Sequence, residues 1–326
     1  MRKIFCVIMA LFLCLMSFAG CGAEGDQPEE EGDGGLTIVT TIFPEYDWVM
    51  NILGDNPAGI EVILLTDSGV DIHSFQPNAQ DIVDITSCDI LVHVGGESDT
   101  FIEDALRNSV NDDMQVVSLM EVMGDKAKEE ETLPGMEEEE HGDEDETEYD
   151  EHVWLSLGNA AYLCSAITNV ICEADPENRE TYENNLKDYT DKLNMLDKQY
   201  VMTVKGAETD TLLFGDRFPF RYMADDYGLN CFAAFSGCST ETEASFETVT
   251  FLAGKVDELG LTSVLTIENS DGRIAQAIID NTEKKDQQIL SLNSMQSVDM
   301  SEEGISYLGI MNDNLEVLRA ALQKGE

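Results

Sequence analysis

Short apolar runs alternate along the chain with longer segments in which apolar residues recur every three or four positions. The short runs predict strands and the longer segments predict helices, because side chains on one face repeat every two residues in a strand and about every 3.6 in a helix. In the first half of the chain, strands are predicted at 37–41, 59–65, 89–94 and 115–119, and helices at 46–53, 78–86, 101–107 and 159–172. This alternation is typical of parallel βαβ units in an α/β lobe.

The second half of the chain repeats the pattern. Strands are predicted at 211–214, 230–234, 263–267 and 288–290, and helices at 219–227, 246–259, 272–281 and 305–321. Between the two blocks, one apolar stripe with spacings of three and four predicts a single long helix, and its residues are Tyr182, Leu186, Tyr189, Leu193, Leu196 and Tyr200. At about 1.5 Å per residue, this helix would span roughly 40 Å, about the diameter of a domain.

The predicted fold class is therefore α/β, with two α/β lobes joined by a long rigid spine helix. We expect the N-terminal lobe at 36–174, the linking helix at 175–204 and the C-terminal lobe at 205–326. Ligands of open α/β sheets bind beyond the carboxyl ends of the strands, so a cleft between the lobes is the expected binding site.

The first residues of the chain have the pattern of a targeting signal. Two basic residues precede an apolar run that ends at Phe18, and small residues follow before Cys21. This predicts a signal peptide at 1–20, because the run is shorter than the about 20 residues of a membrane-spanning helix. Its end resembles a bacterial lipobox, in which Cys21 would be lipidated; an ordinary cleaved signal peptide is the alternative. We expect a flexible stalk at 21–35 and an extracytoplasmic protein anchored by lipid to the outer face of the bacterial cell membrane.

The chain is strongly acidic, with 66 acidic and 18 basic residues and a formal net charge of −48. Such a charge repels nucleic acid and anionic lipid headgroups, so we expect no nucleic-acid partner and no membrane contact apart from the lipid anchor. Acidic residues concentrate at 125–151, which predicts a disordered loop within the first lobe. The loop is either a solvated run of charge or a segment that gathers cations beside a site. We also expect a monomer.

Four histidines are the chief candidates for metal binding. His73 follows a predicted strand and His152 follows the acidic loop, so both lie where loops face the predicted cleft. Imidazoles together with carboxylates suit zinc and related metals. Position alone permits a shared metal site without requiring one. His93 ends a predicted strand and is interpreted as a core or edge histidine, whereas His141 falls in the acidic loop and would be at most a transient ligand.

The cysteines do not predict a disulfide framework. Beyond the signal peptide and Cys21 an odd number remains, without any C-x-x-C pair: Cys88, Cys164, Cys172, Cys231 and Cys238. Buried free thiols are the favoured interpretation. A bridge between the last two is the alternative.

Two segments, Asp71-Ile-His-Ser-Phe-Gln-Pro77 and Glu151-His-Val-Trp-Leu155, each place a histidine within a short motif. They resemble the D-P-H-x-Y-x-P and D-P-H-V-W-L segments of one family, the solute-binding lipoproteins of zinc and manganese ABC importers. Further similar segments are Thr40–Asp47, Ala224–Leu229, Glu241–Ser245 and Tyr307–Leu315. The resemblance extends from about Thr37 to the C-terminus, and it implies a metal held between two lobes with His73 and His152 as ligands.

The other two ligands depart from the family's pattern. The third, a His or Glu, aligns with Arg217, which cannot bind a metal because its guanidinium stays protonated. A short insertion makes Asp216 the expected substitute, unless it only pairs with Arg217 or Arg221. The fourth, an acid in an L-D segment, aligns with Asn293, whose place water or Glu268 could take.

The resemblance implies an extracytoplasmic protein that captures Zn²⁺, with Mn²⁺ as the alternative, and delivers it to an ABC permease and its ATPase. The acidic loop occupies the place of a His- and acid-rich loop in the family, which favours zinc. A metal-dependent surface adhesin and a secreted zinc hydrolase are the alternative functions. A hydrolase would need a general base beside an open metal position, and the chain has no H-E-x-x-H or G-x-S-x-G motif. We therefore expect no enzymatic activity.

Overall fold

A computed structural model of the protein describes residues 35–137, 148–239, 242–301 and 304–323. Cys21, His141 and the predicted signal peptide lie outside these ranges. The described residues from Leu36 onward belong to one unit. Within it, no helix combines the length and the apolar composition that crossing a membrane requires.

The first lobe is built on a four-stranded parallel sheet. Its strands have the spatial order β2-β1-β3-β4 and are β1 (Thr37–Thr40), β2 (Glu61–Leu64), β3 (Ile90–His93) and β4 (Gln115–Ser118). The helices that follow these strands are α1 (Phe43–Leu53), α2 (Ala79–Ser87), α3 (Phe101–Leu106) and α4 (Leu119–Met123), and α5 (Leu157–Ala174) closes the lobe. The predicted βαβ alternation is confirmed, because each parallel connection returns through a helix.

The second lobe repeats this topology, with the order β6-β5-β7-β8. Its strands are β5 (Thr211–Phe218), β6 (Asn230–Ser236), β7 (Ser263–Ile267) and β8 (Gln288–Leu292), all parallel. Its helices are α7 (Arg221–Tyr227), α8 (Phe246–Leu259), α9 (Arg273–Asp280) and α10 (Tyr307–Ala321). Local sequence decides where several helices begin: the Ser245 hydroxyl accepts from Thr248 N, and the Ser306 hydroxyl accepts from Gly309 N.

A helix of 27 residues, α6 (Arg179–Lys205), follows α5 and contacts helices of both lobes. In the first lobe, the Tyr189 hydroxyl donates to Asp47 Oδ2 over 3.0 Å. In the second lobe, the Tyr200 hydroxyl donates to the carbonyl of Met311 over 2.6 Å. The long helix that the apolar stripe predicts is therefore present and is bonded to both lobes.

One hydrophobic cluster of buried residues extends across both lobes. Trp48 of the first lobe and Tyr307 of the second pack edge to face with ring centroids 5.4 Å apart. The Tyr307 hydroxyl donates to the carbonyl of Trp154, and Trp154 Nε1 donates to the carbonyl of Ser294. Since buried aromatic side chains contribute much of a core's stability, these contacts hold the lobes together at the level of the predicted cleft.

The described ends of the acidic segment are ordered and pack on the second lobe. Glu129 and Tyr149 form an antiparallel bridge, and Leu133 and Met136 are buried. The backbone N–H of Glu137 donates to the carbonyl of Ala234 in β6. The prediction of a disordered loop at 125–151 is therefore wrong for 125–137 and 148–151, because apolar side chains within the acidic run reach the core; residues 138–147 lie outside the described ranges.

Candidate metal site

The two histidines of the predicted site lie side by side. His73 sits in the turn Ile72–Ser74, which begins where Asp71 Oδ1 accepts a hydrogen bond from His73 N, and His152 directly precedes the turn Val153–Leu155. Their Nε2 atoms are 3.4 Å apart. Two nitrogens that bind one tetrahedral zinc ion at about 2.0–2.1 Å would lie about 3.3–3.4 Å from each other. The pair therefore has the spacing that a shared zinc ion requires.

A carboxylate lies behind each imidazole. His73 Nδ1 is 3.3 Å from Glu151 Oε1, and His152 Nδ1 is 3.0 Å from Asp150 Oδ1. A carboxylate at Nδ1 holds the proton there and leaves the Nε2 lone pair free, as in carboxylate–histidine–zinc arrangements. Glu151 Oε2 in turn accepts from the backbone N–H of Ser98 over 3.2 Å. Both rings are thus oriented with their free nitrogens toward the same point.

Burial and charge act differently on the two imidazoles. Burial, together with the charges of His152 and Arg217, lowers the pKa of His73 to about 3. Burial also acts to lower the pKa of His152, but the carboxylates of Asp150, Glu151 and Glu130 raise it above its ordinary value. The carboxylates therefore create a field that favours positive charge beside His152, and the same field favours a cation between the two rings.

A thiol completes a group of four possible ligands. His73, Glu151, His152 and Cys238 each offer one ligand atom, and these atoms all lie within 4.8 Å of one another. Cys238 Sγ donates to Glu151 Oε1 over 3.7 Å, and burial next to carboxylates raises the pKa of this thiol well above its ordinary value. The five described cysteines are all free, as predicted. The site is therefore rich in nitrogen, oxygen and sulfur donors.

The neighbouring backbone leaves room for this group. A Cβ atom at Gly237 would lie 2.8 Å from His152 Cε1, so only glycine permits the loop after β6 to approach the ring this closely. The His152 side chain is completely buried and that of His73 is nearly so. An ion held here would be shielded from bulk water.

Residues 38–321 match the family model of ZnuA, the periplasmic component A of a zinc-uptake complex. The chain belongs to this family. It is 28% identical over 321 residues to the high-affinity zinc uptake system protein ZnuA of Bacillus subtilis, covering 97% of each chain. It is 29% identical over 324 residues to the zinc-binding lipoprotein AdcA of Streptococcus pneumoniae serotype 4, and this match covers 98% of the chain but only 61% of AdcA.

Among solved structures, the Zn(II)-bound ZnuA-like domain of Streptococcus pneumoniae AdcA is similar over 89% of this chain and 99% of that domain. The TM-score is 0.67 and the sequences are 26% identical. The likeness agrees with two parallel-sheet lobes, which is the predicted fold class.

The residue that aligns with the family's third ligand is an arginine, Arg217, whose guanidinium is positively charged. Arg217 Nη2 lies 2.6 Å from Asp71 Oδ2, so an ion pair connects the second lobe to the loop that carries His73. Asp216 accepts from the backbone N–H of Arg217 and faces Ile267 N at 3.5 Å. The pairing of β5 with β6 has a register shift between Phe214 and Arg217. The predicted ligand Asp216 is thus engaged by backbone N–H groups and lies outside the four-ligand group of the described residues.

The two residues considered for the fourth ligand, Asn293 and Glu268, also accept hydrogen bonds from other parts of the protein. Asn293 Oδ1 accepts from the backbone N–H of Met295 over 2.8 Å. Glu268, the alternative, accepts from Ser294 N, Ser294 Oγ and Gln296 N and so holds the turn that follows β8. Both acceptors therefore stabilise this turn through hydrogen bonds to its backbone.

Three residues of the site were not predicted as ligands. Glu151 stands one position before His152, where the family motif has a proline, and its acidity was the available signal. Cys238 and Gln296 follow the carboxyl ends of β6 and β8, where binding residues of α/β sheets collect. The Gln296 side-chain amide contacts His152 Nε2 across 144 positions of sequence, and no local pattern signals such a contact.

Proposed function

We propose that this protein is an extracytoplasmic solute-binding protein that captures a divalent transition metal, zinc ahead of manganese, and delivers it to an ABC permease and its ATPase. The observation that carries the proposal is the pair of Nε2 atoms 3.4 Å apart on His73 and His152, each ring with a carboxylate at Nδ1. The names of the relatives support it, since AdcA is a zinc-binding lipoprotein and ZnuA a zinc uptake protein.

Zinc is preferred over manganese because of the donor types. Manganese suits sites of carboxylate, carbonyl and water oxygens, whereas imidazole and thiol donors suit zinc. Here two imidazoles and the Cys238 thiol lie in one group with a single carboxylate. These groups bind a metal ion only as neutral imidazole, thiolate or carboxylate, so binding of the metal releases protons.

Binding is favoured over hydrolysis by the state of the nearby carboxylates. A zinc hydrolase needs a general base beside an open coordination position. Asp150 and Glu151 face imidazole Nδ1 atoms, and Glu151 also accepts from Ser98 N. Each carboxylate is therefore engaged with an imidazole and is not placed as a free general base. Lipid anchoring at Cys21 and a monomeric state complete the proposal, and the anchor would keep the site within reach of a membrane permease.

The proposal is tested by metal titration of the chain without residues 1–20, stripped with a chelator. Zinc and manganese are titrated by calorimetry into the wild type and into a His73→Ala, His152→Ala double variant. We expect one tight zinc site that is absent from the double variant. Weak, multiple binding that the double variant retains would mean that surface carboxylates alone attract the metal, and the proposal would fail.

A matched control removes the acidic segment outside the described residues. Deleting 138–147 should leave the single tight site intact, because both histidines and their carboxylates remain. Loss of the tight site in this variant would instead place binding in the acidic segment.

Delivery requires a test in the organism that encodes the protein. A strain without it should grow slowly when a chelator limits zinc, and added zinc should restore growth. The wild-type gene should also restore growth, whereas the double histidine variant should not. Equal rescue by both genes would show that the protein supports growth by a role other than metal capture, and the proposal of delivery would fail.

A further inference from the structure

The loop that follows β6 places a thiol against the histidine pair. Cys238 Sγ lies within 4.8 Å of a ligand atom of His73 and of His152. It also donates to Glu151 Oε1 over 3.7 Å. A thiolate sulfur and an imidazole nitrogen on one tetrahedral zinc ion lie about 3.6 Å apart, so a side-chain movement of about 1 Å brings the sulfur to an ion between the two rings.

The backbone of this loop is packed closely against the His152 ring. A Cβ atom at Gly237 would lie 2.8 Å from His152 Cε1 and 3.1 Å from the carbonyl oxygen of Phe218. Only glycine fits between these two groups. This close approach holds the next residue, Cys238, beside the ring.

Arg217 contacts both the loop of the thiol and the loop of His73. Its Nη1 donates to the carbonyl of Ser239, the residue after the thiol, over 3.4 Å. Its Nη2 is 2.6 Å from Asp71 Oδ2, and the other oxygen of Asp71 accepts from His73 N. The arginine that aligns with the family's third ligand therefore connects the two loops, and it keeps the thiol on the side of the histidines.

The fixed charge of Arg217 favours an anionic ligand for the ion. The guanidinium lies one side chain away from His73, and it repels a divalent cation bound there. Neutral imidazoles do not offset this repulsion, whereas a thiolate carries the required negative charge. The family's pattern has a His or Glu at the third position and no cysteine among its four ligands, so a thiolate would compensate here for the arginine.

We propose that Cys238 is a ligand of the captured ion and binds it through its sulfur as a thiolate, together with Nε2 of His73 and of His152, in place of the family's third ligand. This inference rests on the proposed metal capture and narrows its substrate class to thiophilic divalent ions, zinc and cadmium, against manganese. Sulfur ligands select such ions, whereas manganese suits oxygen ligands. The S–H bond breaks as the metal–sulfur bond forms, and the proton passes to Glu151 Oε1, which it already faces, and from there to water.

Cobalt(II) bound in place of zinc tests the sulfur ligand directly. A thiolate on cobalt gives an intense charge-transfer absorption in the near ultraviolet, which nitrogen and oxygen ligands do not give. The chain without residues 1–21 is used, so that Cys21 contributes no thiol. The wild type should show this band once cobalt is bound stoichiometrically, and Cys238→Ser should lose it.

Cys231→Ser is the matched control for the loss of a thiol. Cys231 lies in β6, just before the loop, and is also a free cysteine. Among the described residues it is outside the group of four possible ligands. This variant should keep the charge-transfer band and the affinity of the wild type, and thermal melting of each variant checks that it is folded.

Metal selectivity gives a second readout, which a merely structural role of the thiol would not change. Affinities for zinc, cadmium and manganese are measured by competition with a chromophoric chelator. Cys238→Ser should bind zinc at least about tenfold more weakly, and the loss for cadmium should be larger still. Manganese affinity should change least, because a hydroxyl oxygen serves manganese but is a poor ligand for thiophilic ions.

The outcomes separate this inference from the proposed function. Tight cobalt binding by the wild type without the charge-transfer band, or a band that folded Cys238→Ser keeps, would overturn the sulfur ligand while metal capture stands. An equal loss of affinity for zinc, cadmium and manganese would also overturn it. If Cys238→Ser does not fold, Cys238→Ala takes its place, and a wild type without the band overturns the inference by itself. Absence of tight zinc binding in the wild type would overturn the proposed function.

Discussion

The two lobes contribute to the site in different ways. The first lobe supplies His73 and His152, each with a carboxylate at Nδ1, and this half has the spacing for a shared ion. The second lobe supplies a guanidinium at the expected third position, a thiol and an amide, from Arg217, Cys238 and Gln296.

This difference predicts that the two lobes contribute unequally to the affinity for zinc. Two imidazoles held by buried carboxylates form a pre-oriented half-site, because each carboxylate fixes the orientation of its ring. The second lobe contributes the Arg217–Asp71 ion pair and the Gln296 amide instead of a further imidazole. We therefore expect the largest losses of affinity from changes in the first lobe.

The largest effect should come from replacing one histidine. His73→Ala or His152→Ala alone should weaken zinc binding by more than about 100-fold, above the range expected for an outer-shell partner. Competition with a chromophoric chelator measures the loss. His93→Gln is the control, because His93 is also buried and pairs with Asp99 outside the site. An equal loss in that variant would indicate general destabilisation.

The carboxylate behind His152 should have the next largest effect. Asp150→Ala should weaken zinc binding by about 10- to 100-fold, because the ring loses the partner that fixes its orientation. Asp188→Ala removes the same charge from an exposed position on α6 and serves as the control. If both variants lost affinity equally, net charge alone would explain the effect.

Removing the guanidinium should act in the opposite direction. Arg217→Met keeps most of the side chain's length, and loss of a fixed positive charge near the ion should tighten zinc binding by about tenfold. Arg273 lines the same surface cavity as Arg217 and is paired with Asp271, so Arg273→Met is the control and should have little effect. Weaker binding in Arg217→Met would show that the ion pair to Asp71 matters more, because it positions the loop of His73.

The smallest effect should come from Asp216 and Asn293, the two second-lobe residues that the sequence analysis predicts as ligands. Asp216→Asn and Asn293→Ala should each change zinc affinity by less than about tenfold, below the effect of an outer-shell partner. Asn293→Ala should lower the free energy of unfolding by about 1 kcal/mol through loss of the bond to Met295 N, as denaturant unfolding would detect. A larger loss of affinity in either variant would restore that residue as a ligand.

Local patterns predicted several elements closely. The predicted strand at 263–267 and helix at 246–259 coincide with β7 and α8. The helix starts after the cap Ser245 and ends at Gly260, which has a positive φ, so nearby residues decide both ends. By contrast, β5 continues past Phe214 to Phe218 through a register shift, which depends on its partner strand.

The observed start of the linking helix also differs from the predicted one. The linking helix is predicted to begin at 175, but α6 begins at Arg179. Asp175 lies in the connection before it, and its Oδ2 accepts from Asn178 Nδ2 and from the hydroxyl of Tyr182 in the first turn of α6. The ordered ends of the acidic segment were missed because their partners, such as Ala234, lie far along the chain.

The sequence by itself determined the alternation of strands and helices, the long helix and the two histidines, because each depends on residue types at short spacing. Only the tertiary structure decided which other groups reach those histidines. Gln296 is 144 positions from His152, and its contact exists because two sheets present their loop ends to one point. Motif spacing cannot specify such a contact, since it results from how the two lobes pack.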